Sequence, residues 1–458
     1  MRNKRMANQV LLRNASLLEV EEGVITANQD ILIEGEKIKT VGEGIEGDDE
    51  RSVEIDCSDK FVLPGFFECH AHLAVLTSQP EEDRKEILEE CAIEKANLEE
   101  ELDRQVLQEF VKRGITQIRD CGGPVRVLQA MKDRITKSEY IGPDLFYAGP
   151  MLEKSPLTGA GNNERYPEFT VPVDSKQDAA KIVEELSSHG VSLLKAFGKF
   201  DDEVLKYLLT KAEEYSLPVT FDPGKTFFHP IPVDKAIDVG IKCIEHGKSS
   251  WLTVLKDDLR EAHDRLIGED RSTKEAFMDR LFLMGADSIS AAKLHRLAKR
   301  MCDERVYLCP TLHVFKHYAE HPEEFNQKEP EKFKKRFETL RQVAGFITGE
   351  VAQAGVKLLV GHDGWNPQFT FEEMRLLNET GLSESDIIRG ASIYPAQWLG
   401  VDHQLGTVSP GKRANLLILN GNPLDDIQNI RATHAVLKGG KIVFREQDQG
   451  SPSSRTLS

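Results

Sequence analysis

Between residues 9 and 63 the apolar positions come in short runs with the spacing of β-strands. The runs are Val10–Leu12, then Asp30-Ile31-Leu32-Ile33-Glu34, a turn at Gly35, and Lys37–Val41. After about residue 404 the same texture returns, in Ala414–Leu419, Ala435–Leu437, a Gly439-Gly440 turn and Lys441–Phe444. Ile31–Val41 and Ala435–Phe444 are both predicted hairpins of strand, glycine turn and strand. Little helical periodicity separates these runs. The pattern predicts one small β-sandwich assembled from both ends of the chain, residues 1–63 and 404–458.

The middle of the chain reads differently. Eight short apolar runs are candidate strands: Gly65–Glu68, Thr116–Asp120, Leu145–Ala148, Leu193–Phe197, Val219–Asp222, Cys243–Glu245, Tyr307–Cys309 and Leu358–Val360. Amphipathic stretches at 103–111, 177–188, 202–215, 291–301, 332–352 and 384–390 alternate with them. Alternating strand and helix implies parallel strands with right-handed crossovers, and eight such units close naturally into a (β/α)8 TIM barrel, here over residues 64–403. Residues 251–290 form a charged helical insertion, and the polar tail Gln447–Ser458 is expected to fray.

Composition narrows the function classes. With 59 Lys and Arg against 76 Asp and Glu the formal net charge is −17, which disfavours nucleic acid and anionic lipid as partners and leaves a small molecule. Runs such as Phe61–Phe67 and Val356–Val360 are too short to span a bilayer. Basic residues near the N-terminus are not followed by an apolar signal segment. Seven scattered cysteines without a Cys-x-x-Cys pair suit reduced thiols, so a cytoplasmic location is expected and the sequon at Asn14 carries no meaning.

Barrels of this kind carry function at the carboxyl ends of their strands. His70-Ala71-His72 follows the first strand, and residues two apart on a strand project to one side, as a clamp for a transition metal or as two ordinary loop histidines. Lys195 sits in an otherwise apolar strand, where burial penalises its charge. It is either paired with a carboxylate or carboxylated by carbon dioxide to a carbamate that bridges two cations. Asp363, after the eighth strand, is a hard anionic ligand able to take a proton from metal-bound water, or else a helix cap. His362 and Asp363 are adjacent and so face opposite ways.

These strand ends, read in order, resemble the amidohydrolase superfamily over nearly the whole chain. Val62–Leu73 is similar to the family's Pro-Gly-Phe-Ile-Asp-x-His-x-His-Leu entry, and Gly114–Gly123 looks like its second strand and turn. Ile244-Glu245-His246-Gly247 resembles the sixth-strand signature, and Leu405–Leu416 with Asn422-Pro423-Leu424 resembles the return into the sandwich. The Arg119-Asp120 form and Lys195 point to the imidazolonepropionase-like and prolidase-like branch. The resemblance implies a metal-dependent hydrolase, with His70, His72, Lys195, His246 and Asp363 as ligands of one or two divalent ions, zinc foremost. It departs at the fifth strand, where the family's histidine is replaced by Asp222. A carboxylate ligates zinc at a similar distance but makes the site more anionic and the bound water less acidic. His229, in the loop beyond, is a candidate substitute.

The expected reaction is hydrolysis of an amide bond in a dipeptide or N-acyl amino acid, with Asp363 shuttling the proton. Alternatives are a cyclic amide or lactone, deamination of a heterocycle, or a barrel that has lost catalysis and binds a small molecule. A homo-oligomer is compatible with the sequence.

His313, His317 and His321 recur every four residues, and their charged neighbours argue for a solvated helix face. His313 alone follows a strand end and is a candidate substrate contact. Cys69 and Cys121 read as packing residues. The run Thr158–Asn163 lacks the Gly-Lys-Ser/Thr ending of a phosphate loop and reads as a loop over the barrel mouth.

Overall fold

The computed structural model describes residues 9–47, 52–76, 102–224, 231–267, 269–325 and 329–446. The tail beyond residue 446 and His229 lie outside them.

Both ends of the chain enter one eight-stranded sheet. From one edge the order is Lys441–Arg445, Thr433–Lys438, Leu416–Leu419, Phe61–Pro64, Gln9–Glu19, Val24–Glu34 and Lys37–Gly42, with Ser52–Asp56 pairing off Gln9–Glu19. The two ends meet where Leu417 pairs with Leu63, antiparallel. Both expected hairpins form, with Ile31 opposite Val41 and Val436 opposite Phe444. At the second turn only glycine fits: Gly440 has φ +71° and a Cβ there would lie 2.0 Å from the Gly35 carbonyl oxygen.

Side-chain alternation gives this sheet two faces. Leu12, Leu17, Ile31, Ile33, Val62, Leu416, Ile418, Ala435 and Leu437 share one core. The intervening Leu18, Leu63, Leu417, Leu419 and Val436 face the other way, into the main core of the molecule.

The central residues form two wholly parallel sheets. Phe66–Ala71, Ile115–Asp120 and Asp144–Tyr147 make a three-stranded one. The six-stranded one runs Thr170–Pro172, Met151–Glu153, Leu194–Phe197, Val219–Asp222, Cys243–Glu245, Tyr307–Cys309. Seven of the eight expected strands are therefore strands. The eighth, Leu358–Val360, makes a single bridge, Leu308 to Leu358, although its backbone bonds run both ways. Leu359 N–H donates to the Leu308 carbonyl and Cys69 N–H donates to that of Val360, so this segment links the two parallel sheets. Beyond it Asp363 turns the chain at φ +62°, and Gly364 bridges Ala71 of the first central strand. The strands Met151–Glu153 and Thr170–Pro172 were not expected; three residues each carry no readable period.

Helices cover the expected stretches, at Leu102–Lys112, Lys176–Ser188, Asp202–Glu214, Ala291–Asp303, Pro330–Gln353 and Glu384–Gly390. Caps fix their starts where the sequence offers one, as where the Ser175 side chain accepts from Asp178 N–H. The 251–290 insertion is helical, with Asp257–Arg265 and Arg271–Met284, and is pinned by buried Trp251 donating to Ser288 Oγ at 2.8 Å. Beneath the strand ends Phe67, Cys69, Leu193, Cys243, Cys309 and Leu359 pack as an apolar floor closed by Trp398.

Candidate metal centre

All six residues named as ligands from the sequence come together at the strand ends. Asp363 Oδ1 lies 3.2 Å from His72 Nε2 and 3.6 Å from His70 Nε2, and its other oxygen is 4.0 Å from His246 Nδ1. Asp222 Oδ2 lies 3.1 Å from His246 Nε2 and 3.3 Å from Lys195 Nζ. Lys195 Nζ in turn stands 3.2 Å from His70 Nε2. The side chains of His70 and Lys195 are fully enclosed, whereas those of His72 and Asp363 are 17% and 22% exposed, so the cluster opens on the Asp363 side. His246 and Asp363 both have positive φ, +67° and +62°. Non-glycine residues pay strain for that conformation, and here it aims side chains immediately past a strand end.

Burial, and after it the charge of Lys195, pushes the His70 imidazole down to about 4, so it is neutral at pH 7. His72 is raised: burial opposes this, but the hydrogen bond and charge of Asp363 outweigh it. Burial also works against both carboxylates, yet Asp363 beside its histidines and Asp222 beside His246 and Lys195 stay well below the usual range. Lys195 takes the first of its two expected forms, an ion pair with a carboxylate. Burial does penalise its charge, but Asp222 and other anionic neighbours outweigh the penalty and hold the ammonium above its ordinary value.

Does this donor set suit a metal? His70, His246 and Asp363 each offer a ligand atom, all within 4.8 Å of one another. Two imidazoles and a carboxylate converging in this way suit a divalent transition cation, zinc included. Lys195 as an ammonium opposes a second cation beside Asp222, and only loss of its positive charge makes that position a fit. His70, Cys121 and Glu245 also converge. That group is already satisfied by a hydrogen bond from His70 and an ion pair from Arg119, and the Cys121 thiol is pushed far up by burial.

The sequence reading missed the layer beneath. Glu245, fully enclosed, accepts from Arg119 at 2.7 Å and pairs with His70 Nδ1 at 2.7 Å. Arg119 lies 4.9 Å over the Trp398 ring. Glu68 accepts the backbone N–H groups of His70 and His362 and pairs with His362 Nδ1 at 2.7 Å. Asp120 accepts from Leu73 N–H and Gly122 N–H, and burial raises its carboxyl to about 6. Each of these residues stood inside a quoted motif, but only tertiary contacts more than 40 residues apart in sequence reveal what most of them hold.

His362 and Asp363 address different partners, as their adjacency implied: His362 faces Glu68, and Asp363 faces the histidines. His313 does not join the cluster. Its ring stacks on Phe369 at 4.1 Å and meets His362 edge-on, and burial pushes it down to about 2. Cys69 and Cys121 are buried packing thiols, raised well above the ordinary value by burial. The glycine-rich run becomes the short helix Ala160–Arg165, tied down by Asn163 bonding both backbone groups of Thr170.

The amidohydrolase family pattern matches residues 61–443, the span that holds every residue of this cluster. The chain belongs to the amidohydrolase family. That family is one of hydrolases acting on carbon–nitrogen bonds, and the expectation of such an enzyme stands. The chain is similar to a solved prolidase complexed with N-methylphosphonate-L-proline, at 21% identity and TM-score 0.71 over 96% of this chain and 100% of that one. It is also similar to a Xaa-Pro dipeptidase with methionine bound in its active site, at 19% identity and TM-score 0.68 over 95% and 99%. These likenesses show the mixed α/β fold. A local match of 39% identity over 67 residues relates it to the 5-methylthioadenosine/S-adenosylhomocysteine deaminase of Carboxydothermus hydrogenoformans. The matched stretch spans 15% of that relative. Among the described residues no helix is long and apolar enough to cross a membrane.

Proposed function

We propose that this chain is a metal-dependent amidohydrolase cleaving the amide bond of a dipeptide or N-acyl amino acid. The observation that carries the proposal is the convergence of His70, His246 and Asp363 donor atoms within 4.8 Å at the ends of parallel strands. In this reading residues 64–403 form the (β/α)8 barrel, and 1–63 with 404–458 form the sandwich beside it. His70, His72, His246 and Asp363 hold the ion, most naturally zinc. Asp222 and Lys195 hold a second one when Lys195 is carboxylated. A cytoplasmic enzyme with reduced cysteines suits this reading.

A divalent ion bound there supplies a Lewis acid for the scissile carbonyl and lowers the pKa of a water. Asp363 is the outermost carboxylate of the cluster, so it is the group able to take a proton from water and pass it to the leaving nitrogen. His72, hydrogen-bonded through Nδ1 to the Gly122 carbonyl at 3.0 Å, keeps its other nitrogen on Asp363. The neutral His70 adds no charge to oppose a cation.

The Lys195–Asp222 contact favours a second reading for half of the site, in which one ion binds and the ion pair fills the other position. A screen of zinc-loaded protein against dipeptides and N-acyl amino acids tests the function. Zinc-dependent turnover that disappears on chelation supports it. A stable metal complex with no turnover across the library would support the binding-protein alternative.

A further inference from the structure

Glu245 sits directly beneath the cluster, one residue before His246, and its two oxygens divide their work. Oε1 accepts from Arg119 Nη2 at 2.7 Å and from the Thr220 hydroxyl. Oε2 stands 2.7 Å from His70 Nδ1. All three of Glu245, Arg119 and His70 have fully enclosed side chains, so water cannot substitute for any of these partners. A carboxylate already accepting a guanidinium and a hydroxyl offers His70 only an acceptor. The Nδ1 of His70 must then carry the proton, and the lone pair falls on Nε2, the nitrogen facing Asp363 and Lys195.

We propose that Glu245 is the positioning residue for His70, fixing its tautomer and ring plane, and that Arg119 holds Glu245 in place through their buried ion pair. A ligating imidazole whose second nitrogen donates to a carboxylate is oriented and made more basic, and loss of such a partner commonly costs metal sites about 10–100-fold in affinity. The chain of contacts runs Trp398, Arg119, Glu245, His70, from the apolar floor to the strand ends. It therefore ties the aim of one imidazole to the rigid base of the fold. As a contribution to metal binding, the inference rests on the function proposed above. The tautomer is a property of the metal-free protein and does not.

The test uses the full-length chain with nitrogen-15-labelled histidine, comparing the parent with Glu245→Gln. The His70 ring signals are those missing from His70→Ala. In the metal-free parent they should show the neutral form protonated at Nδ1. In Glu245→Gln they should move towards the Nε2-protonated form, and zinc affinity should fall about 10–100-fold. Should Glu245→Gln fail to fold, Thr220→Val removes one support of the carboxylate and is expected to weaken zinc binding several-fold. An Nε2-protonated His70 in the parent overturns the proposal, as does unchanged zinc affinity in a folded Glu245→Gln. If the parent itself binds no zinc, the metal reading fails while the nitrogen spectrum still decides the tautomer.

Discussion

Asp363 and Asp222 are the two carboxylates of the strand-end cluster, and they keep different company. Asp363 stands among three imidazoles and reaches the mouth. Asp222 is buried between His246 and the Lys195 ammonium, with Oδ1 already accepting from Gly224 N–H. Around Asp363 the partners are donors that a cation can recruit without first removing a positive charge from His70. Around Asp222 a fixed ammonium already does a cation's electrostatic work. In the proposed function, one chemistry of residues thus gives a half that would receive a metal and a half closed on itself by an ion pair. In that proposal the second half would open only on carboxylation of Lys195.

The largest effect should come from breaking the Asp363 half. His70→Ala is expected to abolish metal-dependent turnover while the fold survives, since Glu245 keeps Arg119 and Thr220 as partners. Asp363→Asn should lower turnover roughly 10²–10⁴-fold, the usual worth of a positioned proton carrier, with zinc still bound through the histidines. Steady-state rates beside circular dichroism spectra check both.

Next in size is the support beneath. Arg119→Ala leaves Glu245 buried and without its guanidinium, and breaking such a pair typically costs about 3–5 kcal/mol. Urea unfolding measures it. A loss below about 1 kcal/mol, within the range of surface pairs, would remove the floor from this account.

The Asp222 half should respond in metal count more than in fold. Asp222→His replaces the anion that grips Lys195 and is expected to preserve or tighten metal binding. With an uncharged ligand in place of a carboxylate, the acidic limb of the pH–rate profile should also move down. Measured with bicarbonate present, where the parent is expected to take two equivalents, Asp222→Ala should lose the second and keep the first. Unchanged stoichiometry in both variants would strike Asp222 from the ligand set.

The smallest effect on the cluster itself belongs to Glu373, a buried carboxylate outside both halves that caps the Leu312–Glu320 helix by accepting from Leu312 and His313 N–H. Burial raises it to about 8 from an ordinary 4.5. The native protein thus holds this proton more tightly than the unfolded chain. The resulting stability is full in acid, declines as pH rises past 4.5 and is gone above about 8. Glu373→Gln should flatten unfolding free energy across that window and leave zinc binding alone.

What the sequence made legible was what is local or periodic. His70-x-His72 carries its geometry in two-residue spacing, and the hairpins at both ends carry theirs in alternation and glycine turns. Apolar runs located seven strands, whereas the eighth makes a single bridge and is tied to its neighbours by backbone bonds that no period announces. For Lys195 two forms stayed open, because burial is written in its own strand while the counter-ion that decides the pairing lies 27 residues on in another. Arg119 and Glu245 escaped notice for the same reason, since a buried ion pair across 126 residues leaves no local trace.

The most direct test of the two-carboxylate account is the zinc content of the purified full-length chain, equilibrated with and without bicarbonate. One equivalent bound without bicarbonate, lost in His70→Ala, with a second appearing only when bicarbonate allows Lys195 to be carboxylated, is the predicted result. No bound zinc under either condition, or zinc fully retained by His70→Ala, would contradict it.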